Sequence, residues 1–123
     1  MSEVQGREFD WFALDCEGNL ALFATAGEGF IPAEVAGCVR MHDAVSESLP
    51  APHTGTAQVW SDYAAQGLFV FDWDLPSGPY VRRAVPTKPL DGGLRERIMA
   101  IQNIPSLRAS FAGITELGQW HAT

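Results

Sequence analysis

Two aspartates separated by one residue, Asp72 and Asp74, have a spacing that could support metal chemistry. An Asp-x-Asp pair helps to bind a divalent cation in some transferases, but Mg²⁺ usually also takes ligands from substrate phosphates and water. No glycine-rich phosphate-binding motif accompanies the pair. A strand would place both carboxylates on one face and Trp73 on the other. We therefore interpret the aspartates as solvent-facing residues near a turn, and we expect no metal and no other cofactor.

Nucleophilic catalysis has no obvious set of residues in this chain. Cys16 lies between Asp15 and Glu17, whose negative charges disfavour a thiolate. His42 falls on an apolar helical stripe and is interpreted as a core histidine rather than a base or a metal ligand. The sequence motifs of serine hydrolases and zinc proteases are absent. We expect no enzyme, although a hydrolase or transferase site assembled across the fold stays open, and a deep pocket with two convergent, pKa-shifted groups would indicate one.

Aromatic rings next to carboxylates form the remaining candidate site. The predicted partner-binding residues are Trp60, Asp62, Tyr63, Asp72, Trp73 and Asp74. Rings beside unpaired carboxylates are typical of a surface that binds a basic protein. The same rings, together with Trp120, could instead plug the ends of a sheet, and the sequence leaves both interpretations open. A pocket for a small ligand, lined by Trp60, Tyr63 and Trp73, is a further alternative.

The first element predicted to position these side chains is a β-hairpin. Apolar runs at 9–15 and 20–26 flank a short polar segment in which Gly18 can adopt the positive φ of a bulged turn. Both runs are apolar on both faces, which is typical of central strands rather than edge strands. We expect a short polar lead-in at 1–8 before the hairpin.

Two helices are predicted after the hairpin. Pro32 suits a first helical turn, and apolar residues from Val35 to Leu49 recur at spacings of three and four, which predicts one amphipathic helix weakened at Gly37. A shorter repeat of the same spacing around 59–64 predicts a second helix that ends at Gly67.

A second hairpin and a third helix follow. The β-rich runs at 68–73 and 80–85 are separated by a turn rich in proline and glycine. Asp91 is a suitable cap for a helix over Leu94–Ile101.

The C-terminal part is predicted to add one more strand. Alternating apolar and polar residues at 106–111 indicate a strand, which 114–117 could continue after a break. The sequence thus predicts an α+β fold over 1–123 as a single domain, with a mainly antiparallel sheet built from two hairpins plus a C-terminal strand and covered by two or three helices.

Composition narrows the classes of partner. The chain has 123 residues, of which 46% are hydrophobic, and eight Lys and Arg against fifteen Asp and Glu leave a formal net charge of −7. This negative charge argues against nucleic acid and against a membrane surface as partners. The N-terminus lacks the basic and apolar regions of a signal peptide, so we expect a cytoplasmic protein. Cys16 and Cys38 are then expected to stay reduced, although the sequence leaves their pairing open.

The segment FDWFALDCEGNLALFATAGEGFIP at 9–32 resembles the opening hairpin of a group of small bacterial proteins. The residues that match this pattern are Asp15, Gly18, Phe23, Thr25, Gly27, Gly29 and Pro32. The segments at 68–90 and 104–113 fit the same group. Those proteins resemble the immunity-like components associated with bacterial polymorphic toxins.

The resemblance implies a bacterial immunity protein that binds a cognate toxin and blocks it by occlusion, with no active site to carry over. The acidic charge would favour a basic toxin as the partner. A small-ligand or regulatory binding module is the alternative function, and a homodimer is a further possible association.

Overall fold

The computed structural model describes residues 7–122, so most of the expected lead-in at 1–8 lies outside the described part. Within these residues the strands and helices are β1 (Asp10–Leu14), β2 (Leu20–Ala24), α1 (Ala33–Ala36), α2 (Val39–Ser48), α3 (Val59–Ala64), β3 (Phe69–Trp73), β4 (Tyr80–Ala84), α4 (Gly92–Met99) and β5 (Glu116–Leu117). A 3₁₀ turn spans Phe111–Gly113.

The strands of the described chain form one open sheet in the order β1-β2-β3-β4-β5. All neighbouring strands are antiparallel except β2 and β3, which are parallel. A parallel pair needs a crossover connection, and the connection between β2 and β3 carries α1, α2 and α3. The predicted α+β class with a mainly antiparallel sheet is confirmed.

Strand alternation gives the sheet two apolar faces, because successive side chains point to opposite sides. The face that packs against α2, α3 and α4, called the helical face here, has a core formed by Phe12, Leu20, Leu22, Ala24, Leu49, Val59, Tyr63, Leu68, Val70, Leu94, Ile98 and Ile101. The opposite face, called the aromatic face, packs mainly against the C-terminal segment and includes Trp11, Phe23, Phe69, Phe71, Tyr80, Leu107, Phe111 and Leu117.

The first hairpin is confirmed, with Gly18 at φ +84° in its turn. The prediction of two central strands is wrong for β1, which lies at the edge of the sheet. Its outward N–H groups are nevertheless covered: that of Phe12 donates to Nδ1 of His42 at 3.0 Å, and that of Leu14 donates to the Pro105 carbonyl at 2.9 Å. β1 is apolar on both faces because Trp11 is packed in the core on one side of the sheet and Phe12 in the core on the other.

The predicted helix from Val35 to Leu49 is two helices rather than one. The first ends at Gly37, and Cys38 adopts a non-helical φ of −136° before α2 begins. The break leaves Val35 and His42 both buried, so the apolar stripe is preserved although the axis is not continuous.

Asp91 caps α4 as predicted, since its side chain accepts a hydrogen bond from the Leu94 N–H. The predicted strand at 106–111 is wrong. Only isolated bridges form there, from Ser106 to Leu14 and from Leu107 to Ala122, and the strand pairing with β4 comes later, at β5. Alternating burial therefore arises without a continuous ladder.

Asp15 ties the C-terminal segment to the first hairpin. Its carboxylate is buried and accepts hydrogen bonds from the backbone N–H groups of Glu17, Asn19 and Phe111 at 2.8–2.9 Å. The hairpin aspartate is thus a structural anchor for Phe111, which packs on the aromatic face.

Both thiols, Cys16 and Cys38, are free. No helix among residues 7–122 has the length and apolar character needed to cross a membrane.

Candidate functional site

A row of three residues crosses the helical face at one end of the sheet. Asp10 of β1 lies opposite Ala24 of β2, and Ala24 lies opposite Asp72 of β3. Partner residues in a sheet project to the same side, and neighbouring strands lie about 4.8 Å apart. The two aspartates are therefore separated by one strand whose side chain is only a methyl group, which leaves a depression between them.

This depression is the floor of a cleft of about 420 Å³. Its walls come from α3, from the loop at 54–57 and from the residues that precede β1. The lining residues are Glu8, Phe9, Asp10, Ala24, Ala26, Thr54, Gly55, Thr56, Ala57, Val59, Trp60, Tyr63 and Asp72. The cleft thus combines carboxylates with aromatic and small side chains.

Asp10 is a half-buried carboxyl group whose hydrogen-bond donor is the Ser46 hydroxyl of α2, at 3.0 Å. Burial raises the pKa of Asp10 from 3.8 to about 6, and the nearby carboxylates of Glu8, Asp43 and Asp72 add to the rise against the opposing effect of the Ser46 hydrogen bond. Asp10 therefore changes charge near pH 6, because burial and like charges both disfavour its ionised form.

Asp72, on the other side of Ala24, is also half-buried. Burial raises its pKa above the ordinary value, and Arg83, whose Nε lies 3.6 Å from the carboxylate, opposes that rise. Arg83 is shared, since its Nη2 also lies 3.5 Å from Asp74. The positive charge near Asp72 is thus divided between two carboxylates.

Tyr63 closes the cleft from α3. Tyr63 is only 8% exposed, and its hydroxyl has no hydrogen-bond partner among residues 7–122, although it keeps contact with solvent. Burial raises its pKa to about 12, with Asp10 and Asp62 adding to the rise. The hydroxyl is therefore protonated at neutral pH and can both donate and accept a hydrogen bond. Trp60, three residues earlier, is half-buried and adds a second ring to the lining.

Asp62 of α3 does not line the cleft and instead binds His53 in the neighbouring loop. Its carboxylate accepts the backbone N–H of His53 at 2.9 Å and lies 2.8 Å from the ring Nδ1 of His53. Burial acts to raise the pKa of Asp62, but the hydrogen bonds from His53 lower it overall. The pair holds the loop that contributes Thr54–Ala57 to the cleft, so Asp62 shapes the wall without lining it.

Trp73 and Asp74 do not belong to the cleft. Trp73 lies on the aromatic face, where its ring packs edge-on against Tyr80 at 5.0 Å and Phe30 at 5.8 Å between centroids. The expected pocket lined by Trp60, Tyr63 and Trp73 is therefore not formed. Asp74 is exposed beyond the end of β3. Three of the six predicted residues, Trp60, Tyr63 and Asp72, do come together.

The rings thus divide between the two interpretations. Trp73 and Trp120 pack against aromatic side chains of the sheet, as plugging rings would. Trp60 and Tyr63 instead border the open cleft.

Sequence reasoning missed Asp10, which is the most deeply placed carboxyl group of the cleft. A signal was present, because Asp10 occupies the same alternating face of the strand as Phe12 and Leu14, where an apolar residue would be expected. An acidic residue on an inward-facing strand position needs a partner or a function. In the described part of the chain, no group of three or more His, Cys, Asp and Glu side chains is arranged to hold a metal ion.

Comparisons with protein-family models, curated proteins and solved structures find no match.

Proposed function

We propose that the protein is a binding module that holds a small ligand in the cleft above Asp10, Ala24 and Asp72. The observation that carries this proposal is the cleft of about 420 Å³, which is lined by a mostly buried tyrosine whose hydroxyl has no hydrogen-bond partner in the described chain. Small-molecule sites are typically clefts of about 300–1,000 Å³ with a few polar groups among apolar ones. This function corresponds to the ligand-binding alternative from the sequence.

The pKa shifts of Asp10 and Asp72 favour binding over catalysis. Acid–base chemistry by two carboxyl groups needs one to stay protonated and the other ionised, which requires environments that push their pKa values apart. Here burial raises the pKa of both Asp10 and Asp72. The pair meets the condition of two convergent, pKa-shifted groups, but it lacks the opposed shifts that would assign an acid and a base.

The experiment is a thermal-shift screen with amines, sugars, nucleosides and carboxylic acids, carried out on the wild type and on variants with a blocked cleft. A ligand that binds only the native state at about 100 times its Kd adds about 2.7 kcal/mol of stability. We expect one class of compound to raise Tm by several degrees in the wild type. Ala24→Leu fills the floor without removing a polar group, and it should abolish this shift.

A second blocked variant is needed because Ala24→Leu enlarges a buried side chain of the core. Ala57→Trp places a large ring at the exposed part of the lining, and Ala112→Trp places the same ring at an exposed site outside the cleft. Ala112→Trp should respond to ligand like the wild type. If no compound stabilises the wild type, or if both tryptophan variants respond equally, the cleft is not a ligand site.

The second candidate function is the neutralisation of a basic protein toxin. It is supported by the net charge of −7, by the carboxylates around the cleft and by the immunity-like resemblance. In this function Trp60 and Asp72 would contact the toxin at the mouth of the cleft. The test is co-expression with the product of a neighbouring gene: growth arrest should be relieved by the wild type and not by the double variant Trp60→Ala/Asp72→Asn. A neighbouring product that is harmless with or without this protein would contradict it.

A further inference from the structure

We propose that the ligand of the cleft is an organic cation with a protonated amine, held between the carboxylates of Asp10 and Asp72 and against the rings of Trp60 and Tyr63. This inference rests on the proposed function, since it names the chemical class of the ligand for the same cleft.

The charged residues that line the cleft are all of one sign. Glu8, Asp10 and Asp72 are acidic, and within the described chain no lysine or arginine lines the cleft. Two arginines lie beside the lining without belonging to it: Arg83 is shared between Asp72 and Asp74, and Arg7 pairs with Asp43 at 2.9 Å. A carboxylate or phosphate ligand would meet repulsion from three acidic groups, whereas an ammonium group would compensate them.

The hydroxyl of Tyr63 supports a ligand independently of the charges. Tyr63 lines the cleft and is only 8% exposed, and its hydroxyl has no hydrogen-bond partner among residues 7–122 and keeps contact with solvent. A hydroxyl that is free of protein partners and accessible from the cleft can donate to or accept from a ligand atom. An ammonium N–H can donate to this oxygen while its other hydrogens reach a carboxylate.

The remaining walls of the cleft are aromatic and apolar. The indole of Trp60 and the phenol of Tyr63 present π surfaces, and a cation is attracted to such a surface. Ala24, which lies between the two aspartates, leaves room for an alkyl chain. Rings, carboxylates and a small floor together fit an alkyl amine better than a sugar or a nucleotide.

The position of Asp10 adds a dependence on pH. The carboxylates that affect Asp10 are Glu8, which precedes β1, Asp43 of α2 and Asp72 of β3. Ser46 of α2 donates a hydrogen bond to it, and Tyr63 of α3 is the titratable group on the remaining wall. A bound cation favours the ionised form of Asp10, so binding releases a proton where Asp10 would otherwise be protonated. Affinity for a cation should therefore be higher at about pH 7.5 than at about pH 5.

The test is isothermal titration calorimetry with three molecules of similar length and different charge. Cadaverine carries two ammonium groups, 1,5-pentanediol replaces them with hydroxyls, and glutarate replaces them with carboxylates. The inference predicts binding of cadaverine, weaker binding of the diol by about tenfold or more, and no binding of glutarate.

Two variants and a matched control locate the effect. Asp10→Asn keeps an oxygen that can accept from Ser46 but removes the charge, and Asp72→Asn removes the other charge. Each should weaken cadaverine about tenfold, because each removes a charge-assisted hydrogen bond. Asp74→Asn removes an aspartate that also contacts Arg83 but lies outside the cleft, and it should change the affinity by less than about twofold.

The outcomes separate this inference from the proposed function. Equal binding of the diamine and the diol, with no effect of Asp10→Asn, would overturn the cationic ligand and leave a binding module for neutral molecules. No binding of cadaverine would also overturn it, and the blocked-cleft screen would then decide on the module alone. N-acetyl-lysine amide, tested beside cadaverine, distinguishes the source of the amine: tighter binding of the lysine derivative supports a protein side chain, and tighter binding of cadaverine supports a free amine.

Discussion

Replacing Asp10 with asparagine should stabilise the protein at neutral pH, although it removes a charged residue from the candidate site. The folded protein raises the pKa of Asp10 from 3.8 to about 6. By linkage, a carboxyl group with a raised pKa in the folded state contributes stability below pH 3.8, and this contribution is lost as the pH rises through 6. The shift corresponds to about 3 kcal/mol.

Asparagine has no such charge and still offers an oxygen to the Ser46 hydroxyl. The free energy of unfolding of Asp10→Asn should therefore exceed that of the wild type by up to about 3 kcal/mol at about pH 7.5, and the two proteins should be nearly equal at about pH 4.

His42 also affects how the free energy of unfolding depends on pH. It is fully buried, and burial lowers its pKa from 6.5 to about 4 against an opposing effect of Asp43. Its contribution is present above pH 6.5 and is lost as the pH falls through 4, which again corresponds to about 3 kcal/mol. Over this range Asp10 and His42 change stability in opposite directions, so the contributions of these two groups largely cancel in the wild type. In Asp10→Asn the effect of His42 is no longer masked, and stability should rise from about pH 4 to 6.5.

Urea unfolding followed by tryptophan fluorescence, at several values between about pH 4 and 7.5, measures both quantities. Asp74→Asn is the control, because Asp74 is exposed and its replacement should change stability by less than about 0.5 kcal/mol. An asparagine variant no more stable than the wild type at about pH 7.5, or one with the same pH slope as the wild type, would refute the assignment of a burial penalty to Asp10.

Three further substitutions test the packing of the turns and of the aromatic face, each measured by the free energy of urea unfolding. Gly78→Ala should cost about 2 kcal/mol more than Gly55→Ala, because both glycines have positive φ but only at Gly78 would a Cβ overlap the Trp73 ring; equal costs would exclude the clash. Asp15→Ala should cost about 3 kcal/mol, since three backbone N–H groups lose their acceptor, and a cost below about 1 kcal/mol would contradict the anchoring role. Tyr80→Phe should cost about 1–2 kcal/mol, because the hydroxyl accepts from one buried side chain and donates to a backbone carbonyl, and an unchanged stability would show that water replaces both bonds.

Local patterns predicted those elements that depend on nearby residues. The first hairpin was predictable because two apolar runs flank a turn in which Gly18 can take its positive φ, and α4 was predictable because Asp91 can accept the Leu94 N–H. The predicted strand at 106–111 failed for the opposite reason. Burial of Leu107 and Phe111 produces the same alternation as a strand, but the hydrogen bonds of that segment go to separate partners.

The candidate site was also predictable only in part. Trp60 and Tyr63 could be selected from the sequence because helical spacing places them on neighbouring turns of α3, and Asp72 could be assigned to the strand face opposite Trp73. Trp73 could not be separated from them, because which face of β3 meets the helices depends on how the whole sheet is covered.

What the sequence determines by itself is the acidic charge, the composition of the elements and the alternation within each strand, since all three follow from residue type and spacing. Only the tertiary structure decides that Asp10 and Asp72, 62 positions apart in the chain, lie in one row with Ala24 between them. That row exists because the crossover between β2 and β3 makes these strands neighbours in parallel register. The pairing of distant strands is a property of the assembled sheet, and no local interaction encodes it.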